Sequence, residues 1–485
     1  MASLFASLVL LVASLALPVG AAAKLAFTHG VASGDVTPFS AVLWTRVNEP
    51  SRLKVKVSTD PGFAPAATLV RQVVARPEHD FTAKLLVFPL SPATRYHYHF
   101  VGPGGNVTSE VGRFRTPPLP FVRQDVRFTF TGDTDGTREH GVPAFNNFEV
   151  LDRIHEENGD FFVYLGDTIY SDSLFAPPAA TLAAHRAKYK ENRTYDALRD
   201  LLGATSTYVI WDDHEVFDNF AGQTARPERV ANGRQAFTEY MPLRTPTREL
   251  GFFRVFRWGR DVEIFILDER SFRSAEAGPA CLGDPAPTLP APYRSALGLG
   301  PAPPRGCLDV LNDPSRTMLG EAQKAVFKFL LRSSRATFKF VISAVPISEI
   351  FLLPYDRWEG YRAERDEILS FISDHDIDNV TFLTTDLHTN VVADVRVSVL
   401  AGSPVVVKEV ITGPVAEFTL LQGLVAAFGP KGAAGIIALV ESLNPPEFSN
   451  HNAFGYALVE VDSSARSAAI TLKDSTGAIL HTTVP

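Results

Sequence analysis

The sequence predicts a mixed α/β protein in which a small all-β sandwich precedes a larger domain of alternating strands and helices. Three observations carry that prediction. Residues 24 to about 117 hold several short segments rich in strand formers, separated by turn signals. The texture then changes to apolar strand-like runs alternating with helix-like stretches, the pattern of sheets covered by helices. Between the two lies a stiff linker, Pro117-Pro118-Leu119-Pro120.

Taken in order, Met1 to Ala23 carry no charged side chain. Leu4 to Leu17 form an apolar core, Pro18 and Gly20 break it, and Ala21-Ala22-Ala23 offers small residues for cleavage. Residues 1–23 therefore read as a secretory signal peptide cut before Lys24, and the protein is expected to be secreted, extracellular or at the cell surface. An uncleaved anchor is the alternative, because the run approaches the ~20 residues of a span. No later segment reads as transmembrane.

In the β-sandwich, 24–117, Leu53-Lys54-Val55-Lys56-Val57 alternates with period two, as a strand with one buried face does. Ala41 to Val47 and Thr94 to Phe100 are rich in β-branched and aromatic residues, and Gly102-Pro103-Gly104-Gly105 turns the chain. In the second domain, 124–485, strands are expected at Val126–Thr131, Phe161–Leu165, Thr207–Trp211, Val262–Leu267, Phe338–Val345 and Val380–Thr384. Helices are expected at Asn146–Asn158 and Gly320–Ser333, and strand patterning returns at Gly455–Val461 and Ala468–Lys473. Residues 276–316, rich in Pro, Gly and Ala, form a surface excursion that contains both cysteines, Cys281 and Cys307. In an oxidising compartment these would form one disulfide.

The net charge of −8 argues against a general nucleic-acid binder, which carries a basic footprint. It leaves anionic substrates open, because bound metal ions supply local positive charge. The sequons headed by Asn106, Asn192 and Asn379 are open to glycans where a host glycosylates, although Asn379 abuts an expected core strand.

Four segments share one grammar, an apolar strand running into an acidic or His-containing turn. They end in Thr131-Gly132-Asp133-Thr134-Asp135, in Leu165-Gly166-Asp167-Thr168-Ile169-Tyr170, in Trp211-Asp212-Asp213-His214-Glu215 and in Thr384-Thr385-Asp386-Leu387-His388. Each alone is commonplace as a cap or turn. Together they offer carboxylates, imidazoles and a phenol to one edge of a sheet, a donor set suited to hard or borderline metal ions. Two such ions can clamp a phosphate and ready a water for in-line attack, and Asp167, central in the series, is the natural bridge.

The chain resembles the PhoD-like alkaline phosphatases of the calcineurin-like metallophosphoesterase superfamily. The resemblance rests on those motifs together with Gly30-Val31-Ala32-Ser33-Gly34-Asp35, Leu43-Trp44-Thr45-Arg46, Leu267-Asp268-Glu269-Arg270-Ser271-Phe272-Arg273, Met318 to Gln323 and Asp356-Arg357-Trp358-Glu359-Gly360-Tyr361. It implies a four-layer α/β/β/α metallophosphoesterase domain after an Ig- or fibronectin-like sandwich, and hydrolysis of phosphate monoesters or diesters, small or polymeric. Carried over by position, Asp167, Tyr170 and Asp386 would hold Fe3+, with Asp167 bridging to a second ion, Ca2+. Asp213 stands where related enzymes place an Asn ligand, with Asn219 as its rival. His214 stands where they place a His that contacts the phosphoryl group and is the candidate acid for the leaving oxygen. His388 would bind a metal or the phosphate. Many members end the first strand in Cys where this chain has Asp133, a harder ligand that favours oxygen-liking ions, and Thr385 replaces a common Gly.

Arg138, Asn147 and Arg270 are candidate phosphate contacts, each with a surface or structural role as its alternative. Trp358 and Tyr361 either wall the pocket or fill the core. The chain is expected to be a monomer. Competing readings are an extracellular nuclease or phospholipase-type diesterase using the same metals, and a non-catalytic surface binding protein.

Overall fold

The computed structural model describes residues 24–485, so the signal-peptide expectation for 1–23 lies outside the described residues. Two mixed sheets meet face to face. The first has nine strands in the order Ile479–Thr483, Ser467–Asp474, Gly455–Asp462, Val126–Thr131, Phe161–Tyr164, Ser206–Val209, Phe27–Thr37, Ser40–Val47 and Thr82–Val87. Val126–Thr131, Phe161–Tyr164 and Ser206–Val209 run parallel. The second has seven strands around a parallel centre of Val262–Ile266, Phe338–Ile342, Val380–Thr384 and Val405–Ile411. Phe161–Tyr164, Ser206–Val209, Phe338–Ile342 and Val380–Thr384 are buried along their whole length. That is why they read as continuous apolar runs rather than alternating ones.

Between the sheets, Phe128, Phe161, Ile264 and Phe340 share one core, with the Phe128 and Phe340 rings edge to face at 5.3 Å. The outer faces are covered by helices. Glu149–Glu157 and Asp196–Ala204 bury Leu151, Ile154, Leu198 and Leu201 on the first sheet. Glu321–Ser333 and Arg362–Asp374 bury Phe327, Leu331, Ile368 and Leu369 with Phe265 and Val341 of the second. The result is the expected α/β/β/α stack.

The N-terminal sandwich has its own core around Leu43, Val55, Tyr98 and Phe114. Its four-stranded sheet is Thr68–Ala75, Ser51–Ser58, Arg95–Val101 and Gly112–Arg115. Its other face is the far edge of the nine-stranded sheet, joined where Ser33 and Gly34 pair in parallel with Ser206 and Thr207. Trp44 reinforces the join: its Nε1 donates to the Glu239 carbonyl at 2.7 Å, and the Arg193 guanidinium lies 3.9 Å over its ring.

Cys281 and Cys307 are bonded, with their Cα atoms 4.5 Å apart, inside an excursion that folds into two short helices, Ala291–Ala296 and Cys307–Leu311. Trp358 and Tyr361 are core residues; Trp358 Nε1 donates to Glu269 at 3.0 Å. The glycan expectation fails at Asn192, which is 2% exposed and spends its amide on neighbouring loops.

One element departs from the sequence reading. Leu420–Leu443 is a 24-residue helix of mean hydropathy 1.6, long and apolar enough to cross a membrane by length and composition. This corrects the expectation that no later segment has that character. Its apolar residues surround the axis, and Gly429-Pro430 interrupts it with φ 70° at Gly429, so no helical stripe announces it.

Candidate metal centre

The ligand-bearing turns follow the C-terminal ends of parallel strands in both sheets. Asp133 follows Val126–Thr131, Asp167 follows Phe161–Tyr164, and Asp213 and His214 follow Ser206–Val209. Asp386 and His388 arrive from Val380–Thr384 of the opposing sheet. Each chain reverses sharply: Asp133, Asp167, Asp386 and His388 have φ of 60°, 46°, 74° and 52°. Left-handed backbone at four neighbouring non-glycine residues is strain held by the surrounding structure, a mark of functional sites. Gly166, at φ 100°, lets this crowding exist, because a Cβ there would lie 2.8 Å from the Asp212 Cβ.

The expected ligands converge. Donor atoms of Asp133, Asp167 and His388 lie within 4.8 Å of one another, as do those of Asp167, Asp213 and His214, and those of Asp212, Asp213 and Asp386. Asp167 and Asp213 each belong to two of these groups, so the clusters form one chain of acidic oxygens. Among these groups Asp386 stands with Asp212 and Asp213, and the Tyr170 hydroxyl lies 3.0 Å from His388 Nε2.

The two histidines are prepared differently. His388 Nδ1 faces the Phe418 carbonyl at 2.8 Å, which fixes Nδ1 as the donor and leaves Nε2 as an acceptor beside the Tyr170 hydroxyl. Burial lowers its pKa to about 4, so the imidazole is neutral. His214 stacks on Tyr170 at 4.2 Å and directs Nδ1 to Asp172 Oδ1 at 2.6 Å. Burial opposes its charge, but Asp213, Asp167 and Asp172 outweigh burial and hold its pKa well above the ordinary value.

The carboxylates themselves are under strain of charge. Burial, with repulsion from Asp213, raises Asp167 well above the ordinary range, and burial with repulsion from Asp356 and Asp213 does the same to Asp386. Burial lifts Asp133 to about 7. Oδ2 of Asp212 and Oδ2 of Asp135 are buried without a protein partner. A cluster that repels itself and keeps orphaned oxygens fits cations, and a carboxylate, imidazole and phenol set suits hard or borderline ones.

Several supporting residues escaped the sequence reading. Asp172 orients His214. Glu215 accepts from the Thr168 amide and hydroxyl at 2.7 and 2.6 Å, tying the second motif to the third. Asn192 donates to the carbonyls of Thr134 and Thr168 at 2.8 and 2.9 Å, locking the turns of Asp133 and Asp167 together. Thr385, the departure from Gly, donates to Asp133 Oδ2 at 2.5 Å. Glu215 and Thr385 stand inside the third and fourth motifs, and Asp172 two positions after Tyr170 of the second, but no local pattern gives their roles.

Of the expected phosphate contacts, Arg270 is fully buried and committed to carboxylates: Nε reaches Asp212 at 2.5 Å, and Nη1 and Nη2 each reach Asp356 at 2.7 Å. Asn147 is exposed with its amide on Glu149, while its neighbour Asn146 donates to the Val415 carbonyl at 2.8 Å. The Arg138 guanidinium lies 4.5 Å over the Tyr195 ring. Asn219 is exposed; its backbone amide, not its side chain, contacts Asp213.

Residues 140–470 match the PhoD-like phosphatase family, and residues 14–118 match the N-terminal domain of PhoD-like phosphatases. The chain belongs to the PhoD-like phosphatase family. Alkaline phosphatase D of Bacillus subtilis (strain 168) is 27% identical over 424 residues, covering 76% of this chain and 66% of that protein. The match thus spans just under two thirds of that relative's length. Among solved structures, that of PhoD superposes with a TM-score of 0.74 at 22% identity, covering 94% of this chain and 92% of the other. Purple acid phosphatase PPD1 from yellow lupin seeds superposes with a TM-score of 0.58 at 12% identity, covering 94% and 73%. Both establish the fold that this PhoD-like chain shares with them.

Proposed function

We propose that this PhoD-like protein is a secreted, metal-dependent phosphoesterase acting on phosphate monoesters or diesters. The observation that carries the reading is the convergence of Asp133, Asp167, Asp213, Asp386, His214 and His388, from distant strand ends, into one chain of clustered donors. The family and the likeness to alkaline phosphatase D support the same reaction class. The disulfide in the excursion is in keeping with an oxidising compartment.

Asp133, Asp167 and His388, with Tyr170 alongside, would hold one cation, and Asp213 a second, flanked by Asp167 and His214 on one side and by Asp212 and Asp386 on the other. Iron and calcium are the ions the family resemblance favours, and Asp133 biases the first position toward an oxygen-liking ion. When bound, such ions supply Lewis-acid stabilisation of phosphoryl oxygens and a water ready to attack. The chain's own groups do the rest. His214, oriented by Asp172 on Nδ1, presents Nε2 and would offer a proton from it to the leaving oxygen. Arg270 keeps Asp212 aligned beneath Asp213, so the third turn holds its shape against its own charge.

The test is release of p-nitrophenol from its monophosphate and from its bis-ester, before chelation, after chelation and after metal return. Turnover lost on chelation and restored by metal is expected. No hydrolysis of either ester after reconstitution would reject the reading in favour of a binding protein.

A further inference from the structure

Beside the metal centre, and not part of it, lies an apolar cavity of about 390 Å³. One wall is the unexpected helix Leu420–Leu443, through Leu424, Ile436 and Val440; the other is the body of the domain, through Leu352, Val391 and Ile411. The helix is tied to the domain at both ends and loosely packed between them. Its first amide, at Leu420, donates to the His388 carbonyl at 2.9 Å, and Asn444, just past its end, donates to the Glu349 carbonyl at 3.0 Å. Ala433 is the one residue of the helix that is buried. Pinned ends and a break at Gly429 leave a gap that the domain does not fill with its own side chains.

The lining dictates what fits. Its acidic members are already engaged: Glu441 accepts from Ser449 at 2.6 Å and pairs with His451 at 3.0 Å, while Glu349 accepts from the Val399 amide at 2.6 Å. Apolar side chains supply most of the surface, which suits an aliphatic chain, in a volume within the range of small-molecule sites, while Ser348 Oγ and Arg357 Nε, both buried without a partner, are its open polar groups. The mouth is apolar as well, since the lining residues Phe428 and Leu353 are 60% and 62% exposed.

The cavity borders one of the turns that form the centre. Leu387 and Thr389, which bracket His388, both line it, and so does Arg357, whose charge bears on Asp386. We infer that this cavity is an alkyl-chain subsite, and that the preferred substrate is a phosphoester of a long-chain, lipid-like alcohol whose phosphate sits at the metal centre. The inference rests on the phosphoesterase reading for its catalytic half and on the cavity alone for its binding half.

Two measurements on the full, metal-loaded chain separate them. The first is kcat/KM for methyl, butyl and octyl 4-nitrophenyl phosphates below their micellar concentrations. Each added methylene is expected to raise it on the order of fourfold until the cavity fills. Ile437→Asp, in the lining, should flatten the series, and Ile437→Leu should keep it. The second is calorimetric titration with octylphosphonate and methylphosphonate, where the octyl compound should bind tighter with a negative heat-capacity change. Octylphosphonate binding without turnover of any ester would sustain the cavity and reject the phosphoesterase reading. Turnover that ignores chain length, with equal binding of the two phosphonates, would overturn the subsite and leave the phosphoesterase reading intact.

Discussion

His214 Nδ1 and Asp172 Oδ1 meet at 2.6 Å, and Asp172 also accepts from the Asp218 amide at 2.6 Å, so the carboxylate is fixed before it fixes the imidazole. The contact leaves Nε2 of His214 as the nitrogen available to a substrate. Asp172→Ala is therefore expected to lower kcat by roughly 10–100-fold, as loss of an orienting partner does, with a smaller change in KM. Steady-state kinetics on the variant check this, and unchanged kcat would remove Asp172 from the machinery.

Asp167 is shared by two of the three donor groups. Asp167→Asn keeps the shape of the side chain but removes the charge, and is expected to cut kcat by roughly a thousandfold and lower the metal content of the purified protein. Elemental analysis beside the kinetic assay distinguishes lost metal from lost chemistry.

Arg270 is the cation that lets Asp212 be buried; it also bonds Asp356, which Arg273 holds as well, and has no exposure of its own. Arg270→Met strands Asp212, and the unfolding free energy in urea is expected to fall by about 3–5 kcal/mol. Arg270→Lys should rescue little, because one ammonium cannot reproduce the fork that spans Asp212 and Asp356.

Burial lifts the pKa of Glu269 to about 7, against hydrogen bonds from Ser343 and the Ala344 amide that favour its charged form. The folded state therefore holds this proton more tightly than the unfolded chain does. The resulting stabilisation is fully present below the ordinary glutamate pKa of 4.5 and fades as pH rises through about 7. Glu269→Gln should abolish that part of the pH dependence, on the order of 3 kcal/mol across the window. Thermal unfolding of both proteins from about pH 3.5 to about pH 8, roughly one unit beyond each limit, reads it directly.

Much of this was legible in the sequence because the decisive strands are short, apolar and followed at once by their ligands. Val126–Thr131 and Val380–Thr384 match the expected strands, and the other central strands end earlier than read, where the chain leaves the sheet to turn. What stayed hidden depends on distant pairing or on missing periodicity. Arg270 and Asp356 are 86 residues apart, and Asn192 reaches Thr134 across 58, so neither partnership leaves a local pattern. The sequon reading of Asn192 failed for the same reason, since nothing nearby announces that its amide is buried. Leu420–Leu443 was missed because a helix apolar on all sides, broken by Gly429-Pro430, has no face to detect.

The measurement that bears most directly on the central claim is an anomalous-scattering crystal structure of the purified full chain. Two peaks roughly 3.5–4 Å apart are expected, both within bonding distance of Asp167, one also beside Asp133 and His388 and the other beside Asp213. A map with no anomalous density among Asp133, Asp167, Asp213 and His388, from protein that hydrolyses the esters, would contradict it.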